Sequence, residues 1–154
     1  MNGNFVGRGG WWVVAQSLLM AGVIGAGVAG RTPHFHPAVR AAGGLVFALG
    51  AACGIAGAAA LGRSRTAFPK PRGDGTLVRH GIYAWVRHPL YASVILLSFG
   101  WALLWGSPPA LALAVVEALF LDAKARREER WLLEKYPDYA DYRHRVRRLV
   151  PWLY

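Results

Sequence analysis

Cysteine is almost absent from this sequence: Cys53 is the only one, and it lies inside an apolar block. A single thiol cannot build a disulfide framework or a thiolate metal cluster, so the chain by itself supports neither. Charge is also sparse, since 17% of the 154 residues are charged whereas 55% are hydrophobic. This balance is unusual for a water-soluble domain and makes the lipid bilayer the first partner to consider.

Acidic residues are few as well, with 8 against 18 lysines and arginines and a formal net charge of +10. Such a balance is typical of nucleic-acid binding when the basic residues line one groove. Here most of them fall in two segments, 62–88 and 122–154, which flank apolar blocks. This placement fits the positive-inside rule and attraction to anionic lipid headgroups, so we expect no nucleic-acid partner.

Long apolar blocks are what the sequence has instead, and four can be marked: residues 11–30, 41–61, 90–106 and 108–121. The first two have about 20 residues each, enough at ~1.5 Å per residue to cross ~30 Å of hydrocarbon. The first also exceeds the ~7–15-residue core of a signal peptide, which favours a retained membrane helix. The last two are shorter and are joined by Ser107 and Pro108, which predicts a tight helical hairpin whose second helix continues past Leu121.

These blocks predict an all-α integral membrane protein, a single domain over 1–154, with about four transmembrane helices. The hairpin returns the chain to the face it left, so the linker 62–89 and the C-terminal helical segment 122–152 share one compartment. The positive-inside rule assigns that compartment to the cytoplasm, together with both termini, in a multi-pass protein of the cell membrane. The turn at 31–40 then lies outside.

Small residues recur in the first two helices. Gly50 and Gly54 have GxxxG spacing, and Ala58 and Gly62 extend the pattern; such stripes let helices approach closely in lipid. We expect them to pack within the chain rather than to form a dimer, and the oligomeric state stays open. Gly25, Gly27 and Gly30 spell GxGxxG, but the strand that a dinucleotide site requires is missing, so we interpret them as helix packing too.

His34 and His36 form an HxH pair in the external turn. Imidazoles at this spacing bind a metal only if a third ligand joins them, and no carboxylate or cysteine is near in sequence. We interpret the pair as part of a solvated polar turn and expect no metal site.

The candidate functional residues begin with the segment from His80 to Tyr91, which reads HGIYAWVRHPLY directly before a membrane helix. An interfacial belt of aromatic and basic residues is one reading of it. Pro89 at a helix start, however, fixes the entry geometry and holds Arg87 and His88 in a defined orientation. The arginine fork and the helix N-terminus could then hold a carboxylate together.

A second candidate is the pair Glu128 and Glu129, adjacent in a segment crowded with arginines. Charge pattern alone favours a solvated helix with intrahelical ion pairs. Helical phase adds that Glu117, Leu121, Lys124 and Glu128 share one face. A carboxylate at membrane depth is costly and indicates function, although Glu117 could instead hydrogen-bond another helix.

Together, these two elements resemble the isoprenylcysteine carboxyl methyltransferase family and the related phospholipid methyltransferases. The resemblance covers about residues 70–152 and includes Leu132, Tyr139, Tyr142, Val146 and Pro151. It implies S-adenosylmethionine in a cytosolic pocket between linker and C-terminal segment. The cofactor contacts that it implies are Gly75, Thr76, Leu77, Val78, His80, Tyr83, His88, Pro89, Leu90, Tyr91, Glu128 and Glu129.

The resemblance also implies how the acceptor is held. The family has a basic residue four positions before the first glutamate, and Lys124 occupies that place, where the eukaryotic enzymes carry arginine. Lys124 and Arg87 are the expected catalytic residues, and Lys124 with Glu117 the expected substrate contacts. Glu128 and the aromatic faces of Tyr83 and Tyr91 suit a cationic sulfonium.

The acceptor that this resemblance implies is lipophilic, with the carboxylate of an isoprenylcysteine-like substrate preferred. A phospholipid amine and a small thiol are compatible with the same cofactor half. A carboxylate or thiolate needs alignment and exclusion of water but no obligatory base, whereas an amine must lose its proton. A non-catalytic membrane module for sensing or interaction is the alternative of another class.

Overall fold

The computed structural model describes residues 5–33, 35–64, 66, 68–70 and 75–151. Within them the chain forms five α-helices: α1 (Gly10–Ala29), α2 (Pro37–Leu61), α3 (Pro89–Trp105), α4 (Pro108–Lys135) and α5 (Tyr139–Arg145). Two short 3₁₀ helices cover Gly62–Ser64 and Gly81–Ala84. No β-strand forms in the described ranges, where Val86 and Arg147 pair through an isolated parallel bridge. The all-α prediction is therefore confirmed.

Proline sets where three of these helices begin. Pro37, Pro89 and Pro108 each occupy the first helical turn, where a missing N–H costs no hydrogen bond. α2 starts four residues before the predicted block 41–61, because His36 caps it by accepting a hydrogen bond from the Ala38 amide (3.2 Å). His36 thus acts in the fold, while its neighbour His34 lies outside the described residues.

The outer surface of the helices is apolar. α1 and α2 are long and apolar enough to cross a bilayer, with mean hydropathies of 1.8 and 2.0, and only 11% of each span is buried. Side chains such as Leu18, Ile55 and Leu119 are about 70% exposed, at 69%, 72% and 68%. The core helices of a water-soluble protein bury such residues, so these helices are suited to lipid as their solvent. α3 is apolar but shorter, at 17 residues.

The four long helices form a bundle with two distinct ends. α2 packs along α3, and α1 packs against α4 and α3. At one end the α1–α2 connection contacts the α3–α4 connection. The Thr32 amide donates to the Trp105 carbonyl (3.2 Å), and Ser107 Oγ donates to the Ala26 carbonyl (2.7 Å). At the other end Arg8, before α1, lies over the Phe68 ring at 4.0 Å. The N-terminal residues therefore lie at the linker's end, as the hairpin topology predicts.

Two glycines of the predicted stripe pack within the chain. A Cβ on Gly50 would lie 2.9 Å from the Leu97 nitrogen, and one on Gly54 would lie 2.5 Å from Ser93 Oγ. Ser93 Oγ donates to the Gly50 carbonyl at 2.7 Å, so a side chain of α3 contacts the backbone of α2 directly. The extension of the stripe to Gly62 is wrong, because α2 ends at Leu61 and Gly62 turns the chain with a φ of +50° and no neighbour within 4 Å of its Cβ position.

The GxGxxG string of α1 also serves packing, but not at every glycine. A Cβ on Gly27 would meet the Trp101 indole, and one on Gly30 would meet Ser107 Oγ at 2.8 Å. Gly25 has nothing within 4 Å of its Cβ position, so its inclusion in the packing interpretation is wrong.

Candidate functional site

A cavity of about 270 Å³ opens at the linker end of the bundle. Its walls come from α1, the linker, the start of α3, the C-terminal part of α4 and α5. Ten residues predicted from the sequence as site residues line it: Gly75, Thr76, Leu77, Val78, Tyr83, Arg87, His88, Leu90, Tyr91 and Glu128. The helical hairpin brings these two distant stretches of chain to one place, as predicted.

The linker segment 75–78, which forms part of the cavity wall, is held in place through hydrogen bonds to its backbone. The Tyr136 hydroxyl, just after α4, donates to the Gly75 carbonyl at 2.7 Å, and Lys135 Nζ reaches the same oxygen at 3.2 Å. The Thr76 amide donates to Ser64 Oγ at 3.3 Å. The linker is thereby attached to both α4 and the end of α2, which leaves its side chains along the cavity.

Tyr91, His88 and Glu128 form the polar centre of the cavity. The Tyr91 hydroxyl donates to Glu128 Oε2 at 2.6 Å, and the His88 ring stacks on that of Tyr91 with centroids 5.3 Å apart and planes 5° apart. His88 Nδ1 lies 3.9 Å from Glu128 Oε2. Burial raises the pKa of the Glu128 carboxyl above its ordinary value, although nearby His88 and the hydrogen bond from Tyr91 oppose this. A carboxylate in this position favours a bound cation.

Glu129 points away from the cavity into a cluster of basic groups. Its Oε1 accepts from Arg87 Nε (3.0 Å) and Nη2 (2.8 Å), and from Arg148 Nε (3.1 Å). His88 Nε2 lies 3.3 Å from the same oxygen. Burial disfavours the charge, but hydrogen bonds from His88 and Arg148 outweigh it and hold the pKa of Glu129 well below its ordinary value. Glu129 is therefore an ionised anchor behind the site.

Arg87 lies at the cavity wall, yet its donors are engaged within the protein. Besides Glu129, its Nη1 donates to the carbonyls of Arg143 (2.8 Å) and Val146. The expectation that this arginine fork receives a ligand carboxylate is therefore corrected: Arg87 binds the C-terminal segment to the start of α3. The paired backbones support this, since the Arg87 amide donates to the Arg147 carbonyl at 2.8 Å.

Two further predicted cofactor contacts do not line the cavity. His80 is exposed and caps the Gly81–Ala84 turn, its carbonyl accepting from the Tyr83 amide at 3.2 Å. Pro89 is buried at the first position of α3, and its carbonyl accepts from the Cys53 thiol at 3.3 Å. Both shape the entry to α3 rather than the cavity surface.

Lys124 lies beside the cavity on the α1 side. It is 2% exposed, its Nζ donates to Gln16 Oε1 at 2.5 Å, and the same nitrogen lies 5.1 Å from the centroid of the Tyr91 ring. Burial lowers the pKa of Lys124, while the charge of Glu128 opposes that shift. Lys124 Nζ is therefore a buried amine beside Gln16 and the Tyr91 ring, two residues that line the cavity.

Glu117 shares the predicted helix face but not the site. Its Oε2 accepts from Ser98 Oγ at 2.5 Å, which joins α3 and α4 inside the bundle. It precedes Glu128 by eleven residues, or about 16 Å along the helix at ~1.5 Å per residue. Glu117 therefore does not line this cavity, and the alternative expectation for it, a hydrogen bond between helices, is what the structure shows. Its contact with substrate stays a prediction.

Several lining residues escaped the sequence prediction of the site. Gln16 and Ser17 come from α1, where a lone glutamine in an apolar helix is the signal that was available. Tyr139 and Tyr142 come from α5; both were part of the family resemblance, but no site role was assigned to them. Tyr142 donates to the Tyr83 carbonyl at 2.6 Å. Tyr139 is 1% exposed, and its buried hydroxyl has no hydrogen-bond partner in the described part of the chain. Such a group is positioned to bond a ligand.

Comparison with known proteins gives a consistent family. A profile described as phospholipid methyltransferase matches residues 38–139. The protein-S-isoprenylcysteine O-methyltransferase of Saccharomyces cerevisiae is 31% identical over 86 residues, which are 54% of this chain and 36% of that protein. The cobalt-zinc-cadmium resistance protein CzcN of Cupriavidus metallidurans is 36% identical over 83 residues, 53% of this chain and 38% of that protein.

The fold has a solved counterpart as well. The structure of a eukaryotic intramembrane Ras methyltransferase, isoprenylcysteine carboxyl methyltransferase, superposes with a TM-score of 0.68 and 26% identity, over 75% of this chain and 43% of that one. The chain spans about a third of the length of the curated relatives it matches. The matched family profile starts at residue 38, so α1 lies outside it.

Proposed function

The chain belongs to the phospholipid methyltransferase family, and on that premise we propose that it is an integral membrane methyltransferase that uses S-adenosylmethionine. Its acceptor is lipophilic and presents a carboxylate, as an isoprenylcysteine does. The observation that carries this proposal is that residues of the 75–91 stretch and Glu128 line one and the same cavity. The cofactor supplies an electrophilic methyl group on a cationic sulfonium.

The residues of the cavity fit such a group. Glu128 offers a carboxylate, and the rings of Tyr83 and Tyr91 line the same cavity, where aromatic rings attract a cation. Tyr139 offers a buried hydroxyl without a partner in the described ranges, and burial raises its pKa so that it stays a protonated donor. We assign cofactor binding to these four residues together with Gly75, Thr76, Leu77, Val78, His88 and Leu90.

Catalysis by this chain rests on orientation and exclusion of water. Methyl transfer is an in-line displacement, so the acceptor oxygen must face the methyl group within a dry, fixed site. Val13 of α1 and Val94 of α3 also line the cavity. These apolar residues suit a lipid chain entering from the bilayer.

Lys124 favours an anionic acceptor over an amine. It is a buried amine held by Gln16 on the α1 side of the cavity, and no carboxylate accepts a hydrogen bond from it in the part of the chain that the structure describes. An ammonium there stabilises a carboxylate and opposes a cationic amine. We therefore assign Lys124 to the acceptor, with Arg87 and Glu129 as positioning residues.

The same proposal fixes the placement in the membrane. Helices α1–α4 cross the bilayer within one domain, in a multi-pass arrangement. The linker 62–89 and residues 122–152 lie on the cytoplasmic side, because the basic residues concentrate there.

The test is a transfer assay with the purified full chain in lipid vesicles and methyl-labelled S-adenosylmethionine. Three acceptors are offered separately: an S-prenylated cysteine with a free carboxylate, phosphatidylethanolamine and a small aliphatic thiol. We expect a base-labile methyl ester on the first. Label on the phospholipid amine or on the thiol replaces the carboxylate assignment with that acceptor class.

The matched variants are Glu128→Gln and Glu134→Gln, one in the cavity and one exposed on the same helix. Transfer is expected to fall at least tenfold in the first and to stay unchanged in the second. Thermal stability with and without the cofactor is measured in parallel. Binding without transfer to any acceptor supports a sensing module instead, and absence of both binding and transfer refutes the methyltransferase proposal.

A further inference from the structure

Two further cavities lie outside the site, on the C-terminal segment. One has a volume of about 470 Å³ and the other about 250 Å³, and both are lined by His144 and Arg147. Arg87, Arg143 and Arg148 also line the first, and Arg145 with Trp85 lines the second. We call Trp85, Arg143, His144, Arg145 and Arg147 the basic groove. It is separate from the cavity assigned to the cofactor, with Arg87 at the boundary between them.

The basic groove carries an excess of positive charge. No carboxylate lines either of its cavities among the described residues. Glu129 lies 3.8 Å from Arg143 Nε, but Arg87 and Arg148 already donate hydrogen bonds to it. Arg145 Nε reaches only a backbone carbonyl, that of Asp141 at 3.3 Å, and Arg147 makes no side-chain ion pair within the described ranges. Such a groove attracts an anion.

The position of the basic groove relative to the helices indicates which kind of anion it binds. Residues 147 and 148 pair with Arg87 and His88, whose amides donate to their carbonyls at 2.8 and 3.0 Å. α3 begins at the next residue, Pro89. The groove therefore lies where an apolar helix ends. Trp85, which is 57% exposed, borders the same cavity as Arg145 and Arg147, and tryptophan is enriched at the membrane–water interface.

We propose that the basic groove binds the phosphate of an anionic phospholipid headgroup. Arg145 and Arg147 contact the phosphate, and Trp85 lies at the level of the glycerol backbone. The lipid then holds the segment 143–148 against the membrane. Since Arg87 bonds the carbonyls of Arg143 and Val146, the lipid also supports the wall of the neighbouring site.

The experiment measures lipid binding by the detergent-purified full chain with native mass spectrometry. Phosphatidylglycerol is compared with phosphatidylcholine of the same acyl chains, and inorganic phosphate is added as a competitor. We expect a preference for phosphatidylglycerol that weakens as salt rises, because exposed charges are screened. The double variant Arg145→Gln/Arg147→Gln is expected to bind phosphatidylglycerol about 30-fold more weakly, since each basic residue contributes about 1 kcal/mol and about 1.4 kcal/mol is tenfold.

The matched control is Arg127→Gln/Arg130→Gln, which removes the same charge from α4 outside the groove and should leave the preference intact. Arg145→Lys/Arg147→Lys keeps the charge and should retain most of the binding. An equal loss in the control pair, equal binding of phosphatidylcholine, or displacement by millimolar inorganic phosphate would each overturn the proposal. If the double variant does not fold, the salt and lipid comparisons on the unmodified chain decide.

Discussion

The hydroxyl of Tyr91 donates a 2.6 Å hydrogen bond to Oε2 of Glu128, a residue 37 positions further along the chain. Tyr91 lies in the first turn of α3 and Glu128 in the second half of α4. The bond forms because the two helices make an antiparallel hairpin that returns the chain to the same end of the bundle. It joins the two sequence elements that carry the family resemblance inside one cavity.

Removal of that hydroxyl is the first prediction. In Tyr91→Phe the Glu128 carboxyl loses its donor while its other surroundings stay, and a hydrogen bond to a charged group contributes about 1.5–3 kcal/mol. We expect the affinity for S-adenosylmethionine to fall about tenfold or more, measured by isothermal titration calorimetry. Unchanged affinity would show that Tyr91 does not orient the carboxylate for the cofactor.

The second prediction concerns pH. Because burial raises the pKa of Glu128, part of its population is neutral at a higher pH than for an ordinary glutamate. Binding of a sulfonium favours the charged form, so the affinity should rise as the pH rises through that pKa. S-adenosylhomocysteine, the uncharged thioether, should lack this dependence. Equal pH profiles for both ligands, or a difference that persists in Glu128→Gln, contradict the assignment.

The third prediction concerns stability. Glu129→Gln leaves the buried Arg87 without its counter-charge, while Arg148 keeps Asp122, and breaking a buried ion pair costs about 3–5 kcal/mol. The thermal midpoint in detergent should fall markedly, while exposed Glu134→Gln should change little. Since the pKa of Glu129 lies below its ordinary value of 4.5, its stabilisation is complete above that pH and is lost as the pH falls further. The variant should lack this acid-dependent loss.

The fourth prediction distinguishes the part of the cavity assigned to the methyl acceptor from the part assigned to the cofactor. Gln16→Leu removes the acceptor for Lys124 Nζ and should raise the KM for the methyl acceptor several-fold, with little change in cofactor affinity. Ser17→Ala is the control, because Ser17 lines the same wall but its hydroxyl donates to the Val13 carbonyl of its own helix at 3.0 Å. A parallel loss of cofactor affinity in Gln16→Leu would place Lys124 on the cofactor side.

The fifth prediction tests the contact between α2 and α3. Gly50→Ala places a Cβ 2.9 Å from the Leu97 backbone and should destabilise the bundle by about 1–3 kcal/mol through overpacking. Gly25→Ala meets nothing within 4 Å and should be neutral or stabilising by about 0.5–1 kcal/mol. Titration with a denaturing detergent measures both, and similar midpoints for the two variants would argue against close packing at Gly50.

Sequence reasoning reached the architecture because its signals are local. Apolar blocks mark the helices, and Pro37, Pro89 and Pro108 mark their starts. The hairpin follows from the short break at Ser107, where α3 ends at a left-handed Gly106 with a φ of +58°. That reasoning also placed the 75–91 stretch and Glu128 on the same side, because two consecutive helices return the chain to the side from which it started.

The roles within the site required the tertiary structure. Neighbouring residues on a helix point about 100° apart, so Glu128 faces the cavity while Glu129 faces Arg87 and Arg148. The pairing of Lys124 with Gln16 joins residues 108 positions apart and depends on how α1 packs on α4. Glu117 lies on the predicted face but at the wrong height. The sequence by itself therefore determined which segments meet, through apolar length and helix-start chemistry. Only the packing of the helices decided which side chain touches which, because those contacts depend on rotation and height about axes that no local pattern specifies.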